Sequence, residues 1–422
     1  MMILKKKLLK NGIIFDPYYN SVSKQDILID KNGIIENISL GIEDNEADIY
    51  DLEGFYICPG LTDLHTHTRN PGEGEESLQS IEKSALRGGF TRITVMPNTN
   101  PPLDNLDSLL NQLKMWKDST IQAEIVCCLT EKSMGKQLND LKLLKEYGCS
   151  GFSDDGKWTK NSYEFLKGLI TAGELGCPVF SHTEDHHIPC FNPFENISMM
   201  NNTGVSESLA AVRDMILSEI SNQPLHLCHI SDAYSLARIE EFLVRNCKIT
   251  VEAAPHYFSL NSNVIQNNNG FYKVNPPLKS ENDRLKVIES LKNDTIKVIA
   301  TDHAPHLKRN KEKSFSESRP GFVGLETALP AAITYLYHPG HLSFLEIVKK
   351  MTIEPLKILN KPFNRFQNGL KGDLIVVNPW KEWLVSENNL VSQSKNSPFL
   401  GTNLKGKIEI IISKGNLIKQ ND

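Results

Sequence analysis

The sequence predicts an α/β fold in which a (β/α)8 barrel of the TIM type stands beside a small β-sandwich domain formed by both chain ends. Eight short apolar runs alternate along the chain with segments of helical spacing. The apolar residues of these runs are consecutive, as in strands that are buried on both faces. The two chain ends show short strand-and-turn patterns instead, for which a barrel has no place.

The eight runs are spaced widely enough for a helix to follow each of them. They span residues 56–65, 91–98, 121–130, 149–155, 177–185, 224–231, 249–258 and 296–306. Between them, segments such as ESLQSIEKSALRGG, DSLLNQLKMWK and SLAAVRDMILSEI repeat apolar residues every three or four positions, which is typical of amphipathic helices. Eight strand–helix units predict a parallel barrel.

The chain ends predict the smaller domain. Residues 1–55 and 366–422 contain short strand-like runs, and the Asn-Gly pairs at 11–12 and 32–33 are typical of hairpin turns. We expect both ends to pair into one β domain beside a barrel that spans residues 56–365.

Two long connections, residues 186–205 and 307–324, follow the fifth and eighth runs. Loops of this length at the catalytic end of a barrel often act as lids, and a solvated or subunit-contacting loop is the equal alternative.

Composition narrows the class of protein. The chain has 422 residues and a formal net charge of −5, which does not indicate nucleic-acid binding. No apolar stretch reaches 18 residues, and the N-terminal lysines are not followed by a signal-peptide pattern.

Six cysteines within apolar runs predict buried free thiols in a reducing cytoplasm, with a thiolate zinc site as the weaker alternative: Cys58, Cys127, Cys128, Cys149, Cys177 and Cys228. We expect a cytoplasmic protein that binds neither nucleic acid nor membrane.

Metal-ligand side chains stand at the ends of five of the eight runs. They are His65, His67, Asp155, His182, His229 and Asp302. Because the carboxyl ends of barrel strands meet at one face, we expect these side chains to converge. Imidazole and carboxylate ligands suit zinc, with manganese, cobalt or iron as alternatives. The sequence therefore predicts a metal centre with one or two zinc ions per chain.

The aspartates at the end of the fourth run leave one assignment open. A carboxylate there can bridge two cations, and both Asp154 and Asp155 are candidates, the other being a turn or helix-cap residue. His182 and His229 would complete a second metal site. His226 lies on the opposite face of its strand and is interpreted as a packing histidine or one that supports the ligands.

Asp302 is the candidate general acid and base. A divalent cation lowers the pKa of bound water from ~16 toward ~7, so hydroxide becomes available to attack a carbonyl carbon. Asp302 can accept a proton from that water and deliver it to the departing nitrogen. The sequence contains no GxSxG nucleophile elbow and no phosphate-binding P-loop, which favours hydrolysis without a covalent intermediate.

Four further residues predict a small anionic substrate. Arg69 can bind a carboxylate with two parallel hydrogen bonds, and Asn98, Asn275 and His306 can add directional contacts. The alternative for Arg69 is a salt bridge to a loop carboxylate such as Glu73, and for the two asparagines it is turn capping.

Seven segments together resemble class I dihydroorotase of the amidohydrolase superfamily. They are PGLTDLHTHTR, GGFTRITVMPNTNPP, GFSDDG, SHTED, VNPPL, ATDHAPH and GLETALP, and the C-terminal SKNSPFLGTNLKGKI is similar to the same family's tail. The resemblance extends over nearly the whole chain. The HxH pair and the later aspartate alone would indicate only the superfamily.

The resemblance implies reversible cyclisation of N-carbamoyl-L-aspartate to L-dihydroorotate in pyrimidine biosynthesis, with zinc as the metal. It implies that His65 and His67 bind one ion, that His182 and His229 bind the other, and that Asp155 bridges them. Asp302 becomes ligand and proton shuttle. The implied substrate-binding set is Arg69, Asn98, Asn275, His306 and Gly324.

The fourth run separates this family from its relatives. Hydantoinases, allantoinases and class II dihydroorotases use a carboxylated lysine as the bridge, whereas Lys157 falls beyond the end of the run. Two departures from the class I pattern affect loops: Asn70 follows the arginine of HxHxR, and Arg319-Pro320 replaces a Pro-Phe pair before Gly321.

Two alternatives to a catalytic dihydroorotase remain. One is another cyclic amidase, such as a hydantoinase or allantoinase. The other is a non-catalytic dihydroorotase-like partner of aspartate transcarbamoylase, although such chains usually lack the ligands. A homodimer and a complex with aspartate transcarbamoylase are both compatible with the resemblance.

Overall fold

The computed structural model of the protein describes residues 5–69, 75–188, 204–245, 247–266 and 268–419. The strands, numbered along the chain, are β1 (Lys7–Lys10), β2 (Ile13–Asp16), β3 (Ser21–Lys24), β4 (Asp26–Ile29), β5 (Ile35–Ser39), β6 (Asp48–Asp51), β7 (Tyr56–Pro59), β8 (Leu61–Thr66), β9 (Phe90–Val95), β10 (Gln122–Cys128), β11 (Gly151–Ser153), β12 (Val179–Ser181), β13 (Leu225–Leu227), β14 (Ile249–Ala253), β15 (Val298–Ile299), β16 (Leu374–Leu384), β17 (Asn403–Ser413) and β18 (Asn416–Lys419).

The helices lie mainly between the strands β8 to β15 and after them. The α-helices are Leu78–Arg87, Leu106–Trp116, Leu141–Glu146, Ser162–Glu174, Val205–Ser221, Ala233–Val244, Pro255–Ser259, Glu281–Lys292, Lys308–Lys311, Ala328–Ala332, Phe344–Lys350 and Ile353–Ile358. Several begin at a side chain that accepts a hydrogen bond from the first turn, with full capping boxes at Asn105 and Ser280. None of the described helices is both long and apolar enough to cross a membrane.

Within the described residues, eight parallel strands form the barrel in the order in which they occur along the chain, from β8 to β15. A parallel bridge between Thr66 and His303 brings the first strand next to the last, so the ring is nearly closed. Each of the eight predicted apolar runs contains one of these strands. The predicted barrel is therefore confirmed.

The first predicted run, residues 56–65, serves two sheets. Its first part is β7, which pairs antiparallel with β16, and its second part is β8, which pairs parallel with β9. Gly60 separates the two strands at a point where a side chain would have no room, because an added Cβ would lie 2.3 Å from Thr91 Oγ1. Consecutive apolar residues indicate burial on both faces but not which strand lies alongside, so the sequence did not reveal this division.

Strands from both chain ends form the smaller β domain, as expected. One sheet has the order β5-β4-β1-β6 and the other has the order β18-β17-β16-β7-β2-β3. Leu9 and Ile27 of the first sheet share a buried core with Ile14, Leu374 and Ile410 of the second, so the two sheets pack face to face. The division of the chain into domains at residues 55 and 366 stays a prediction.

A buried carboxylate ties the C-terminal segment to the barrel. Glu326 accepts hydrogen bonds from the backbone N–H groups of Val391 and Ser392 at 2.8 Å each. Burial raises the pKa of Glu326 to about 7, because the charged form loses its hydration. The folded protein therefore binds a proton at this position more strongly than the unfolded chain does.

We expect Glu326→Gln to remove a pH-dependent part of the stability. Between about pH 4.5 and pH 7 the folded state retains the Glu326 proton that the unfolded chain has released, so the free energy of unfolding falls as pH rises. From pH 5 to pH 8, the free energy of unfolding of the native protein should drop relative to the variant by on the order of 1–3 kcal/mol. Urea unfolding of both proteins across this range measures it, and a pH-independent difference would contradict it.

Candidate metal centre

The six predicted ligands lie at the carboxyl ends of barrel strands and are all buried. His65 is within β8, His182 directly follows β12, and Asp155 and His229 stand two residues after β11 and β13. Asp302 follows β15 by three residues. Parallel strands point their carboxyl ends to the same face, and this brings side chains together that are up to 237 positions apart in the chain.

Among the described residues, three overlapping groups of candidate ligand atoms contain His65. The group with Cys228 and Glu252 lies outside the predicted set, and the other two consist only of predicted ligands. One consists of His65, His67 and Asp302, and the other of His65, Asp155 and His229, with the ligand atoms of each group within 4.8 Å of one another. Asp155 Oδ1 lies 3.3 Å from His65 Nε2, and Asp155 Oδ2 lies 3.5 Å from His67 Nε2. The carboxylate of Asp155 therefore faces both histidines of the HxH pair.

His182 extends the second group. Its Nδ1 lies 3.4 Å from Asp155 Oδ1 and 2.9 Å from His229 Nε2, while its Nε2 lies 3.2 Å from Glu184 Oε2. If Nε2–H donates to Glu184, Nδ1 presents a lone pair toward His229 and Asp155. Ring nitrogens and a carboxylate oxygen that converge in this way are suited to share one cation.

The structure separates Asp154 from Asp155. The Asp154 carboxylate accepts hydrogen bonds from Thr130 N and Thr130 Oγ1 and from Thr159 Oγ1, at 2.6–3.0 Å. It holds two loops together, and these hydrogen bonds engage both of its oxygens. Lys157, the lysine that follows the two aspartates in the sequence, is exposed at the surface.

The fit of a metal can be judged from atoms that are left without a hydrogen bond. His65 Nε2 and Asp155 Oδ1 are fully buried, and neither has a hydrogen-bond partner among the described residues. Buried polar atoms are nearly always satisfied in folded proteins, so these two require something that binds both. A divalent cation with nitrogen and oxygen ligands fits this requirement.

The electrostatics of the site favour a cation as well. Burial alone would raise the pKa of Asp155, but the charge of His65 and the close approach of His182 lower it well below its usual range. Burial lowers the pKa of His182, yet Asp155 and Glu184 outweigh it and raise the pKa to about 10. A metal ion would take the place of this proton, so we expect metal binding to release protons.

Three residues of the site have left-handed backbone conformations. The φ angles are 51° at Arg69, 38° at His229 and 48° at Asp302. Residues other than glycine adopt such angles at a cost of about 1–3 kcal/mol each, and they occur where the surrounding structure enforces a functional geometry.

A cavity of about 230 Å³ opens beside the ligands. His67, Asp155, His182, His229 and Asp302 form its floor together with four other predicted residues, namely Arg69, Asn98, Asn275 and His306. Gly324 is not among the lining residues, and its N–H donates to His303 Nδ1 behind the wall. Gly321 lines the cavity instead, together with Arg319 and Pro320.

Arg69 and His306 lie together at one side of the cavity. Arg69 Nη2 is 3.2 Å from His306 Nε2, and Arg69 Nε is 3.9 Å from Glu75 Oε2. The predicted alternative partner, Glu73, and the departure at Asn70 lie outside the described residues. So does most of the predicted lid loop 186–205.

The other long loop, 307–324, contributes to the cavity wall. The buried Lys311 Nζ donates to the carbonyl oxygens of Lys273 and Arg319 at 2.9 Å each. It thereby links the segment before Asn275 to the segment that carries Arg319. The sequence offered no signal for this contact, because it joins two loops.

Asn98 supports a ligand in addition to lining the cavity. Its Oδ1 accepts a hydrogen bond from His67 Nδ1 at 2.7 Å, which leaves His67 Nε2 to face Asp155 and Asp302. Gly156 lies close to the Asn98 side chain, because an added Cβ at position 156 would be 3.0 Å from Asn98 Nδ2. A larger residue at position 156 would displace the amide.

Sequence reasoning missed three charged residues of the site. Glu75 lies 3.3 Å from His306 Nδ1, and Arg319 stands at the rim of the cavity. Glu252, in β14, lies 2.7 Å from His65 Nδ1. Only Glu252 could have been predicted from the sequence. It is the one Asp, Glu, Lys or Arg residue in the apolar run 249–258, and a buried charge needs a partner.

The sequence is similar to those of known dihydroorotases. A family model described as "Dihydro-orotase-like" matches residues 54–235. A dihydroorotase from Syntrophus aciditrophicus is 38% identical to the chain, with 99% of this chain and 100% of that protein aligned. A dihydroorotase from Aquifex aeolicus is 35% identical, with 98% and 99% aligned.

Solved structures are similar in fold. An L-hydantoinase (dihydropyrimidinase) from Arthrobacter aurescens superposes with a TM-score of 0.87 over 98% of this chain and 96% of that chain. A dihydropyrimidinase from Brevibacillus agri superposes with a TM-score of 0.84 over 99% and 95%. Their sequence identities to this chain are 22% and 19%, so they establish the barrel and sandwich architecture alone.

Proposed function

The chain belongs to the dihydroorotase family of cyclic amide hydrolases, and from this membership we propose that it interconverts N-carbamoyl-L-aspartate and L-dihydroorotate with zinc as its metal. The family's role is in pyrimidine biosynthesis. The observation that best supports the proposal is the cavity itself, which is lined by five of the six metal-ligand side chains and by an arginine–histidine pair suited to a carboxylate.

The proposed ligands are His65 and His67 for one zinc ion and His182 and His229 for the other. Asp155 would bind both ions and Asp302 would complete the set, for one or two ions per chain. A divalent cation bound there would supply Lewis acidity, which lowers the pKa of water and polarises a carbonyl oxygen.

Asp302 is the proposed proton carrier. Burial would raise its pKa, but the neighbouring His67 and the charge of His65 lower it, so the carboxylate starts in the ionised form. During hydrolysis Asp302 accepts a proton as water attacks the ring carbonyl carbon. It then delivers that proton to the nitrogen as the C–N bond breaks, and cyclisation reverses both transfers.

The other cavity residues orient the substrate. Arg69, Asn98 and His306 bind its carboxylate, and Asn275 contacts the amide edge of the ring. Gly324 was expected to line the cavity on the evidence of the family pattern. Because Gly321 stands at that wall, we propose that Gly321 allows the close approach of substrate, with Gly324 behind it.

Arg319 adds a second guanidinium at the mouth of the cavity. Among the described residues no hydrogen bond or ion pair engages its side chain, which is exposed. Arg69 and Arg319 line the same cavity. Burial lowers the pKa of Arg69, the charges of Glu75, Asp302 and Asp155 oppose this, and the positive charge of Arg319 adds to it. We propose that a substrate carboxylate relieves the repulsion between the two arginines by binding between them.

We expect Arg69→Ala and Arg319→Gln to raise the Michaelis constant for dihydroorotate to different extents. Loss of a buried charge-assisted hydrogen bond is worth ~1.5–3 kcal/mol, or about 10- to 100-fold, at Arg69. An exposed charge is worth at most ~1 kcal/mol, or about 2- to 5-fold, at Arg319. Steady-state kinetics measure both, with the surface variant Arg238→Gln as control. An unchanged Michaelis constant in Arg69→Ala would indicate that Arg69 only forms a salt bridge.

The decisive test of function is a turnover assay on zinc-loaded and chelator-treated protein. Dihydroorotate, hydantoin and allantoin should be compared side by side, in both reaction directions where possible. We expect turnover of dihydroorotate that is lost on chelation and restored by zinc. Intact, metal-loaded protein that turns over dihydroorotate in neither direction would refute the proposal.

Assembly and location are further proposals. We propose a cytoplasmic enzyme that acts on its small-molecule substrate either as a homodimer or in complex with aspartate transcarbamoylase. Size-exclusion chromatography of the chain, alone and mixed with aspartate transcarbamoylase, distinguishes the two assemblies.

A further inference from the structure

A line of buried polar contacts leads away from the metal centre into the barrel. Glu252 Oε1 lies 2.7 Å from His65 Nδ1, and Glu252 Oε2 lies 3.0 Å from His226 Nε2. His226 Nδ1 in turn lies 2.8 Å from Thr250 Oγ1. His65, Glu252 and His226 are at most 1% exposed, so no solvent takes part in these contacts.

The chemistry of the groups gives these hydrogen bonds a direction. The carboxylate of Glu252 lies between two imidazole nitrogens, and an ionised carboxylate can only accept, so the ring N–H groups are the donors. His65 therefore donates from Nδ1, and its Nε2 presents a lone pair toward Asp155 and Asp302. His226 donates from Nε2, and its Nδ1 lies beside the Thr250 hydroxyl.

His65 is the ligand for which orientation matters most. It is the one residue that belongs to both groups of predicted ligands, the group with His67 and Asp302 and the group with Asp155 and His229. A tilt of its ring, or a change of tautomer, would disturb both groups at once. His67, by comparison, is supported by the neutral amide of Asn98.

Burying a carboxylate and a histidine inside the barrel costs free energy, so their presence there calls for a functional reason. Barrel interiors are filled by branched apolar side chains, and Leu64, Val126 and Val298 from three other strands belong to one buried apolar cluster here. The ring of Phe180, also in that cluster, lies 5.3 Å from the ring of His226. Burying a charge costs free energy even when it is paired. Since the pair meets a candidate ligand, a role in the metal centre explains it better than stability does.

We propose that Glu252 and His226 are positioning residues of the metal centre, which fix His65 as an Nε2 ligand and maintain a negative charge behind it. Because His65 contacts one carboxylate oxygen of Glu252 and His226 contacts the other, the carboxylate group is fixed in orientation. This inference rests on the proposed metal site but not on the identity of the substrate. Supporting carboxylates of this kind orient metal-bound histidines and raise their basicity in other proteins.

Three variants test the proposal through zinc affinity, measured by competition with a chromogenic chelator. In Glu252→Gln one end of the side chain becomes a donor, so it no longer accepts from both rings, and we expect zinc affinity to fall by about 10- to 100-fold. His226→Leu removes the contact behind Glu252 and should weaken zinc binding several-fold. His226→Gln retains an N–H donor and should bind zinc nearly as the native protein does.

Glu326→Gln is the matched control, because it makes the same exchange at a buried carboxylate outside the site. Zinc affinity within about threefold of native in both Glu252→Gln and His226→Leu, or an equal loss in Glu326→Gln, would overturn the proposal.

A measurement on the native protein keeps the proposal testable if a variant fails to fold. Nitrogen-15 NMR of histidine-labelled protein reports which ring nitrogen of His65 carries the proton, and we expect Nδ1 with and without zinc. A proton on Nε2 in the zinc-loaded state would overturn the proposal. Neither readout involves turnover, so protein that binds zinc through this arrangement but does not act on dihydroorotate would refute the proposed function alone.

Discussion

Replacement of Asp302 by Ala or Asn should lower turnover of dihydroorotate by about 100-fold or more while leaving the fold intact. Asp302 is buried at the floor of the cavity, with Oδ1 3.2 Å from His67 Nε2 and 3.8 Å from His65 Nε2. Neither alanine nor asparagine can carry a proton between water and the amide nitrogen. Asparagine is the more conservative substitution, because it keeps the size of the side chain and tolerates the left-handed backbone at this position.

The two reaction directions provide an internal check on the Asp302 variants. Because the overall equilibrium is unchanged, hydrolysis and cyclisation must lose the same factor in kcat/KM. Zinc content, measured on the same samples, separates the two proposed roles. Lost turnover with zinc retained indicates the proton carrier, and parallel loss of both indicates mainly a ligand. Near-normal turnover would remove Asp302 from the mechanism.

The second large effect should appear in a paired comparison of Asp155→Asn and Asp154→Asn. Asp155 Oδ1 faces His65 and His182 at 3.3 and 3.4 Å and has no hydrogen-bond partner among the described residues. Asparagine has one acceptor oxygen in place of two and no charge, so we expect weaker zinc binding and turnover at least about 100-fold lower. Asp154, the adjacent residue, is the matched control.

Asp154→Asn should affect stability instead of catalysis. Its carboxylate accepts three hydrogen bonds that hold the loops at Thr130 and Thr159, and one of them faces an amide N–H₂ after the change. We expect the free energy of unfolding to fall by about 1–3 kcal/mol, with turnover within a few-fold of native. Zinc analysis, kinetics and urea unfolding on both variants test the pair. Loss of zinc in Asp154→Asn alone would reverse the assignment.

The candidate site was predictable because, in a parallel barrel, the position of a residue along its strand determines at which end of the barrel it lies. His65, His182 and Asp302 each end an apolar run, and in a parallel barrel every such end lies on one face. The rule needs only the order of strands and their direction, both of which follow from the repeated strand–helix pattern. It could not separate Asp154 from Asp155, because both stand at the end of the same strand.

Other features depend on contacts between segments that no local pattern reports. Glu75 and Arg319 come from loops whose course follows from packing, and Gly321 instead of Gly324 reaches the cavity because of the path of the loop after β15. The C-terminal Asn396 links the same loops: its Oδ1 accepts from His306 N, and its Nδ2 donates to the carbonyl oxygen of Gly321. Because Asn396 lies 90 residues after His306, no local sequence pattern indicates this contact.

The sequence by itself determined the barrel, the pairing of the chain ends and the residues that meet at the carboxyl ends of the strands. These follow from hydrophobic periodicity and from the geometry of parallel strands, which are local rules repeated along the chain. Only the tertiary structure decided which aspartate turns toward the imidazoles, which loop residues reach the cavity and which carboxylate supports His65. Those outcomes depend on side-chain direction and on partners far apart in the chain, and both are set when the whole barrel packs.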